Sequence, residues 1–279
     1  KNLMLDGKPF RINGNGYKPF ADIYRYIGIK ALERDAKPII IVKGRQVGAT
    51  TMAAALECFF MASGSFGSNG RPPVRVVHCF PLLDLAASYS KAKLSPMITG
   101  AKRVDPNNKT GKSKSIIECK IDKSLPSNDS LHFKQFVGGN QLWIESTGIN
   151  GDRLMGKTCD IFFGDEAQKM RKTAIANSTK ILSQAQYGKR TKGVQVYFGT
   201  PLQSGSHYWE NWMNSSQQYY HLGCKKCNDY FPLFTGNDDW EKVWLYEYTV
   251  RCTKCGCEQD KLEAAENGKW IALNKKIET

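Results

Sequence analysis

The chain has 279 residues, of which 41% are hydrophobic and 24% charged, and its 40 Lys and Arg against 26 Asp and Glu give a formal net charge of +14. This length supports one large hydrophobic core or two smaller ones. The sequence has no run of about 18 apolar residues, no heptad array and no low-complexity tract, which excludes the membrane-spanning, fibrous and disordered classes and leaves a globular protein.

The excess of positive charge favours a polyanionic partner. Phosphate backbones bind basic surfaces by releasing counterions whatever the base sequence, so nucleic acid is the leading class. A basic surface that serves only solubility is the alternative. The chain starts at Lys1 without the charged start and apolar middle of a signal peptide, and we expect a cytoplasmic protein cut from a longer chain.

Strand and helix patterns alternate along most of the chain. A helix is predicted from about Phe20 to Glu33, and the β-branched run Ile39–Val42 is typical of a strand covered on both faces. An Ala-rich helix follows the next turn. Further strands are predicted at residues 74–80, 141–144, 159–164 and 193–199, and a helix at 82–93 leading to Pro96. The polar, Lys-rich residues 99–130 indicate an exposed insertion or a β-excursion. The alternation indicates an α/β fold with a mostly parallel sheet and flanking helices.

The composition changes from about Tyr219, where aromatic residues, turn residues and paired cysteines become frequent. Such a segment is too small to build a large core of its own. We therefore predict two domains: residues 1–218, and a metal-stapled module with a short tail at residues 219–279.

A phosphate-binding loop is predicted directly after the first strand. The segment has the glycine frame and the hydroxyl residue of such a loop, and the helix that follows would aim its N-terminal N–H groups at phosphate oxygens. Ala49 stands where the usual Lys belongs, so we expect Lys43 to reach the β and γ phosphates and Thr50 to bind Mg²⁺. An ordinary tight turn is the alternative. The predicted nucleotide-binding residues are Lys43, Gly44, Arg45, Gln46, Val47, Gly48, Ala49, Thr50 and Thr51.

An acid pair ends the strand predicted at residues 159–164. Carboxylates at the C-terminal edge of a parallel sheet lie where ligands of open α/β folds bind. We predict that Asp165 holds Mg²⁺, mostly through water, and that Glu166 orients and deprotonates the water that attacks the γ-phosphate. Two acids that merely begin a surface helix are the alternative.

Three further residues are candidates for the hydrolytic step. Thr200 ends the strand at 193–199, and a strand-end hydroxyl of this kind senses the γ-phosphate in helicase-like and packaging ATPases. Phosphoryl transfer also needs a cation on the transition-state charge. Arg45 is the first candidate in cis, and Arg153 is the second, reaching a neighbouring subunit. Each arginine is equally compatible with a DNA-backbone contact or a solvated charge.

Two Cys-x-x-Cys pairs form the strongest local motif. Cys224 and Cys227 form one pair and Cys252 and Cys255 the other, and four thiolates at this spacing can bind one structural Zn²⁺. Cys257 could replace Cys255 as the fourth ligand. Disulfides and a redox dithiol are the weaker alternatives.

The chain resembles the large subunit of tailed-bacteriophage terminases. The resemblance covers PIIIVKGRQVGATT at residues 38–51, HCFPLLDLAASYSKAKLSPMI at 78–98, STGINGDRLMGKTCDIFFGDEAQ at 146–168, YFGTPLQSGSHYWENW at 197–212, and the two cysteine pairs. Several members carry the essential Lys at the start of the loop, as Lys43 does here. The cysteine pairs and a closing Gly-Lys-Trp are similar to the lambda-type branch, whose ATPase domain bears a zinc-ribbon-like insertion.

The resemblance implies a RecA-like P-loop NTPase fold, with residues 1–218 as the motor domain and residues 219–279 as the zinc-ribbon-like module. It implies an ATPase that uses ATP and Mg²⁺ to move double-stranded DNA through the portal into a procapsid, together with a small terminase subunit. It also implies a homo-oligomeric ring when the motor is assembled and a monomer in isolation. The implied location is the host cytoplasm, with no membrane partner. The nuclease domain of the family is absent up to Thr279, and we expect no DNA cleavage by this chain.

Two other functions remain open on the sequence. A helicase-like DNA-dependent ATPase would share the phosphate loop, the acid pair and the strand-end Thr200. A zinc-stabilised DNA-binding or assembly protein with a degenerate nucleotide site would account for Ala49.

Overall fold

The structure is a computed structural model that describes residues 4–5, 8–9, 18–32, 38–44, 48–62, 72–100, 115, 117–182, 193–200, 205–232, 243–246 and 248–277. The chain divides into two compact units. The first unit comprises Lys1–Phe10 and Ile27–Trp209, and the second comprises Arg11–Tyr26 and Glu210–Thr279. The assignment of a motor domain to residues 1–218 and of a separate module to residues 219–279 stays a prediction.

A six-stranded sheet forms the centre of the first unit. The strands of this unit are β1 (Met4–Leu5), β2 (Lys8–Pro9), β3 (Ile39–Val42), β4 (Arg75–Phe80), β5 (Phe133–Gln135), β6 (Gln141–Ser146), β7 (Ile161–Gly164) and β8 (Val194–Gly199). The order in the large sheet is β3-β8-β7-β4-β6-β5. The first five strands in this order are parallel to one another, and only β5 is antiparallel to its neighbour β6. This confirms the mostly parallel α/β sheet. β1 and β2 form a separate antiparallel pair.

Burial explains which strands the sequence could predict. Every residue of β7 is buried, and five of the six residues of β8 are buried as well. Strands covered on both faces have near-continuous apolar sequences, which is the pattern seen at residues 161–164 and 194–199. β5 carries the short sequence Phe-Lys-Gln at the sheet edge, just beyond the segment 99–130 predicted to be an exposed insertion. The sequence prediction missed β5 because its pattern is too short and polar.

Seven α-helices occur in the described part of the chain: α1 (Lys18–Leu32), α2 (Ala49–Ala62), α3 (Leu83–Tyr89), α4 (Ser95–Gly100), α5 (Lys172–Lys180), α6 (His207–Met213) and α7 (Lys261–Glu266). Helix α2 follows β3 and is mostly buried, with Met52, Leu56 and Phe60 in the core. Among the described helices, none combines the length and the apolar content that crossing a bilayer would require.

The helix predicted at residues 82–93 continues beyond Pro96. A π-helical segment, Ser90–Leu94, joins α3 to α4, and the backbone N–H of Ser95 bonds the carbonyl of Ser90. Proline lacks an N–H and its ring clashes with the carbonyl four residues earlier in a regular α-helix. Here Pro96 is the second residue of α4, directly after the π turn, and the first turn of a helix tolerates proline. The predicted helix is confirmed, but its predicted end at Lys93 is wrong, because the helical backbone continues to Gly100.

A buried polar cluster joins α2 to β4 and α3. Glu57 and His78 have no exposed surface, and His78 Nδ1 lies 2.5 Å from Glu57 Oε1. The hydroxyl of Tyr89 donates to Glu57 Oε2 at 2.6 Å. Burial and the neighbouring carboxyl of Glu57 raise the pKa of Tyr89 well above its usual value. The phenol therefore stays a hydrogen-bond donor to Glu57.

Replacing Glu57 with Ala is expected to destabilise the first unit strongly. The substitution leaves His78 and Tyr89 without their partner inside the core, and removal of one member of a buried pair costs about 3–5 kcal/mol. Urea unfolding followed by circular dichroism measures the loss. Glu118→Ala is the matched control, because its Lys123 partner lies 3.9 Å away on the surface. A loss from Glu57→Ala no larger than that of the control would contradict the prediction.

The second unit contains two small antiparallel sheets. The strands are β9 (Gln218–Gly223), β10 (Tyr230–Pro232), β11 (Trp244–Tyr246), β12 (Thr249–Arg251), β13 (Glu258–Asp260) and β14 (Lys269–Ala272), in the orders β10-β9-β14 and β11-β12-β13. The side chain of Asp260 caps α7 by accepting the N–H groups of Leu262 and Glu263. Leu222, Phe231 and Val250 are among the few core side chains of this unit.

Candidate functional site

The C-terminal ends of three neighbouring strands define the candidate site. β8 lies between β3 and β7 and is parallel to both, so all three strands end at the same edge of the sheet. The backbone N–H of Lys43 donates to the carbonyl of Gly199 at 2.9 Å, which fixes the end of β3 against the end of β8. Ligands of open α/β sheets bind at this edge.

The phosphate loop leads from β3 into α2. Gly48 has φ +83°, a conformation that favours glycine, and its carbonyl accepts the N–H of Met52 in the first turn of α2. Ala49, Thr50 and Thr51 are the first three residues of α2. Ala49 is buried, so the side chain at the usual lysine position faces the protein. Gly44 is exposed, and the predicted loop residues Arg45, Gln46 and Val47 lie outside the described residues.

The side-chain oxygens of Thr50 and Asp165 meet across the site. The hydroxyl of Thr50 donates to Asp165 Oδ2 at 2.7 Å, and the backbone N–H of Glu166 donates to Oδ1 at 2.8 Å. Asp165 is 3% exposed. Hydroxyl and carboxylate oxygens are the hard ligands that Mg²⁺ binds, so this pair fits the metal that the sequence predicted.

Glu166 stands directly beyond Asp165 in a left-handed backbone conformation, with φ 52°. This conformation is unfavourable for a residue other than glycine, and such residues are concentrated at functional sites. Its Oε1 lies 3.5 Å from Lys43 Nζ, which joins the loop to the acid pair. The Lys43 side chain is largely buried, with 11% exposed.

The second oxygen of Glu166 has two partners in the same short 3-10 turn. Gln168 Nε2 donates to Oε2 at 2.9 Å, and Lys169 Nζ lies 3.5 Å from it. Burial raises the pKa of Glu166, but the hydrogen bond from Gln168 and the charges of Lys43 and Lys169 outweigh it and lower the pKa below its usual value. The group is therefore a carboxylate at neutral pH.

Thr200 follows β8 at the same edge. Its backbone N–H donates to Gln168 Oε1 at 3.2 Å, so that Gln168 bridges Glu166 and Thr200. Tyr208 donates to the carbonyls of Ile41 at 2.7 Å and Gly199 at 3.3 Å. Gln168 and Tyr208 are not among the predicted site residues, and their types and spacing carry no signal that would identify them.

The two candidate arginines differ in what the structure shows. Arg153 is exposed in the 3-10 turn Asp152–Leu154 after β6, and its carbonyl accepts from Lys157 Nζ at 3.1 Å. β6 is separated from β7 by β4 in the sheet. Arg45 belongs to the part of the loop outside the described residues. Both assignments stay predictions.

Four cysteines of the second unit converge on one point. The sulfurs of Cys224, Cys227, Cys252 and Cys255 all lie within 4.8 Å of one another. The Cys224 and Cys255 sulfurs are 3.6 Å apart, and the Cys227 and Cys252 sulfurs are 3.8 Å apart. A tetrahedral Zn²⁺ with Zn–S bonds of about 2.3 Å separates its sulfur ligands by about 3.8 Å, so the cluster fits zinc. Cys255, rather than Cys257, is the fourth member of this cluster.

The local backbone prepares one of these thiols for metal binding. Burial raises the pKa of Cys224, but hydrogen bonds from the backbone N–H groups of Cys227 and Lys226 lower it to about 6. The thiolate is the metal-binding form of cysteine. Each Cys pair follows a strand, β9 or β12, in a tight turn, so the two strand ends place the pairs opposite each other.

The mostly parallel sheet, with a glycine-bearing loop and an acid pair at its C-terminal edge, is typical of P-loop ATPases. The family model described as "Phage terminase large subunit gpA, ATPase domain" matches residues 29–270. The chain belongs to this family, and it is an ATPase domain of a phage terminase large subunit. No curated protein matches the sequence.

The chain is also similar to solved terminase structures. The crystal structure of the HK97 bacteriophage large terminase is 14% identical with a TM-score of 0.52, and the match covers 77% of this chain and 38% of that chain. The Thermus phage P74-26 large terminase ATPase domain is 17% identical with a TM-score of 0.42, covering 70% of this chain and 69% of that chain. The HK97 match shows the same fold, over less than half of the length of that protein.

Proposed function

We propose that this chain is the ATP-hydrolysing motor of a viral DNA-packaging terminase, which moves double-stranded DNA through a portal into a procapsid. The observation that carries the proposal is the meeting of the loop and the acid pair. Lys43 Nζ lies 3.5 Å from Glu166 Oε1, and Thr50 donates to Asp165 at 2.7 Å. Two sequence elements more than 100 residues apart are thus joined at one end of the sheet.

The residues divide the work of hydrolysis between them. Lys43 and the N–H groups at the start of α2 would bind the phosphates, and Thr50 and Asp165 would hold Mg²⁺, which when bound would supply positive charge beside the phosphate oxygens. Glu166 is a carboxylate that orients the attacking water and accepts its proton. Arg45 in cis, or Arg153 reaching a neighbouring copy, supplies the cation for the transition state.

Hydrolysis would be coupled to movement through the end of β8. Thr200 follows this strand, between the loop strand β3 and the acid-pair strand β7. A change at the γ-phosphate therefore reaches Thr200 from either side. We propose that this displacement drives a gripping segment on duplex DNA, for which the net charge of +14 provides salt-sensitive, sequence-independent affinity.

The proposed partners follow from the family. They are double-stranded DNA, the portal and procapsid, a small terminase subunit, and further copies of the chain in a ring. The proposed location is the host cytoplasm, transiently at the portal. Zn²⁺ held by the cysteine cluster would be structural, because all four of its positions would be taken by protein thiolates.

Translocation is expected on intact duplex without strand separation. With ATP and Mg²⁺, the protein should displace a triplex-forming oligonucleotide from blunt duplex DNA. It should unwind a forked substrate no more than it does without ATP. Glu166→Ala is the inactive control in both assays. Unwinding of the fork would contradict the motor assignment and support the helicase-like alternative, which shares the same site residues.

A further inference from the structure

The side-chain amide of Gln168 connects the two elements that the proposed mechanism must couple. Its Nε2 donates to Glu166 Oε2 at 2.9 Å, and its Oε1 accepts the backbone N–H of Thr200 at 3.2 Å. One end of the amide is therefore on the carboxylate after β7, and the other end is on the backbone after β8. The two strands are direct neighbours in the sheet.

The local backbone is shaped for this contact. Glu166 adopts φ 52° and is followed by the 3-10 turn Ala167–Lys169, which contains Gln168. At the other end, a Cβ added to Gly199 would lie 2.6 Å from Gln168 Oε1 and 2.7 Å from the Tyr208 ring. A glycine at position 199 is thus required for the amide to approach the strand end.

Only some side chains could make both bonds. The Glu166 carboxylate accepts hydrogen bonds and the Thr200 N–H donates one, so the bridging group must donate at one end and accept at the other. An amide does both without charge. Lys43 and Lys169 also face Glu166, at 3.5 Å each, but the amide makes the shorter contact and is the one that continues to β8.

We infer that Gln168 is a positioning residue that holds the Glu166 carboxylate for attack and ties it to the end of β8 at Thr200. The inference rests on the proposed function of Glu166 as the group that activates water. Displacement of the β8 end pulls on the amide and moves the carboxylate, and displacement of the carboxylate pulls on Thr200. The proton-accepting group and the strand that transmits movement are thereby one hydrogen-bonded unit.

Two substitutions separate the two ends of the bridge. Gln168→Met keeps the size of the side chain and removes both hydrogen bonds. Gln168→Glu keeps an acceptor for Thr200 and replaces the donor to Glu166 with a like charge. Gln141→Met is the matched control. Gln141 is the first residue of β6, at the N-terminal end of that strand and away from the site, and its side chain donates to Gln135.

Steady-state ATP turnover gives the first readout. Both Gln168 variants are expected to lower kcat about 10- to 100-fold with KM for ATP changed by less than about threefold, since misplacement of a catalytic group by about 1 Å costs this much. Gln141→Met should keep the wild-type kcat. Thermal unfolding measured in parallel should show midpoints of all three variants within a few degrees of the wild type.

Hydrogen exchange at the Thr200 amide gives the second readout. A general loss of stability would raise the exchange rate in both Gln168 variants, whereas the inference predicts a difference between them. Gln168→Met should exchange faster than wild type at this amide, whereas Gln168→Glu should exchange at the wild-type rate because its carboxylate still accepts. Both variants nevertheless lose kcat. This combination is specific to a two-ended bridge.

Wild type and Glu166→Ala measured beside these variants distinguish the two ways of failing. If Glu166→Ala turns over ATP as fast as wild type, the proposed function is wrong and the role of Gln168 falls with it. If Glu166→Ala is inactive but Gln168→Met retains the wild-type kcat, the proposed function stands and the inference about Gln168 alone is overturned. An unchanged exchange rate at Thr200 in Gln168→Met would also overturn it.

Discussion

Lys43→Ala and Glu166→Ala are each expected to lower kcat for ATP hydrolysis by about 10²–10⁴-fold, which is the range of effects when a proton acceptor or an electrostatic stabiliser is removed. In the proposed mechanism, Lys43 supplies the amine that Ala49 cannot supply from the usual position in the loop. Glu166 supplies, in the same proposal, the carboxylate that accepts the proton of the attacking water. The measurement is phosphate release with saturating Mg²⁺ and duplex DNA.

The binding of nucleotide distinguishes the two substitutions. Lys43→Ala should also weaken binding of a fluorescent ATP analogue, because the proposal places the amine on a phosphate, whereas Glu166→Ala should bind it close to the wild-type affinity. Lys123→Ala and Glu118→Ala are matched controls from a surface pair 3.9 Å apart and should turn over ATP as wild type does. Equal turnover by wild type, Lys43→Ala and Glu166→Ala would refute the motor and favour a DNA-binding protein with a degenerate nucleotide site.

Cys252→Ser is expected to abolish zinc binding and to unfold the cysteine module, which comprises residues 219–279. Atomic absorption should find about one Zn²⁺ per wild-type chain. Structural zinc contributes about 10–16 kcal/mol of apparent binding free energy in small domains, far more than the few core side chains of this unit can replace. Limited proteolysis should then cleave Cys252→Ser within residues 218–272, and wild type treated with a chelator should give the same fragments.

Cys257→Ser is the matched control for the zinc prediction. Cys257 follows the second pair by two residues, yet the four-sulfur cluster consists of Cys224, Cys227, Cys252 and Cys255. The variant should keep its zinc and its resistance to protease. A wild-type protein that is folded and free of zinc would contradict the argument, and loss of zinc from Cys257→Ser would show that the fourth ligand is assigned incorrectly.

The parts of the fold predicted from the sequence are those whose pattern is local. The mostly buried strands β4, β7 and β8 have predominantly apolar sequences, as burial on both faces requires. β3 has the same apolar pattern, Ile-Ile-Ile-Val, although it is only half-buried at the end of the sheet, so the expectation that it is covered on both faces is wrong. The phosphate loop and the two cysteine pairs have fixed spacings that their chemistry requires. The family resemblance rested on the same segments, and the family match over residues 29–270 confirms it.

The parts that the sequence could not provide depend on contacts between distant residues. The continuation of the helix through Pro96 includes a π turn that composition does not reveal. The pairing of Glu57 with His78 and Tyr89 joins three elements in the core. Gln168 accepts from the Thr200 N–H beside Gly199, where an added Cβ would lie 2.6 Å from Gln168 Oε1, and this contact joins residues 32 positions apart.

The pairing of β9 with β14 determines how the cysteine module would respond to mechanical load. The two strands are antiparallel, and Gln218, where the chain enters the module, is the register partner of Ala272, at the end of β14. Tension applied along the chain at these two points would break the hydrogen bonds between the strands sequentially from this end, and not all at the same time. The thiol cluster lies inside the closed loop that this pair forms, so the pair must part before any pull reaches the metal ligands.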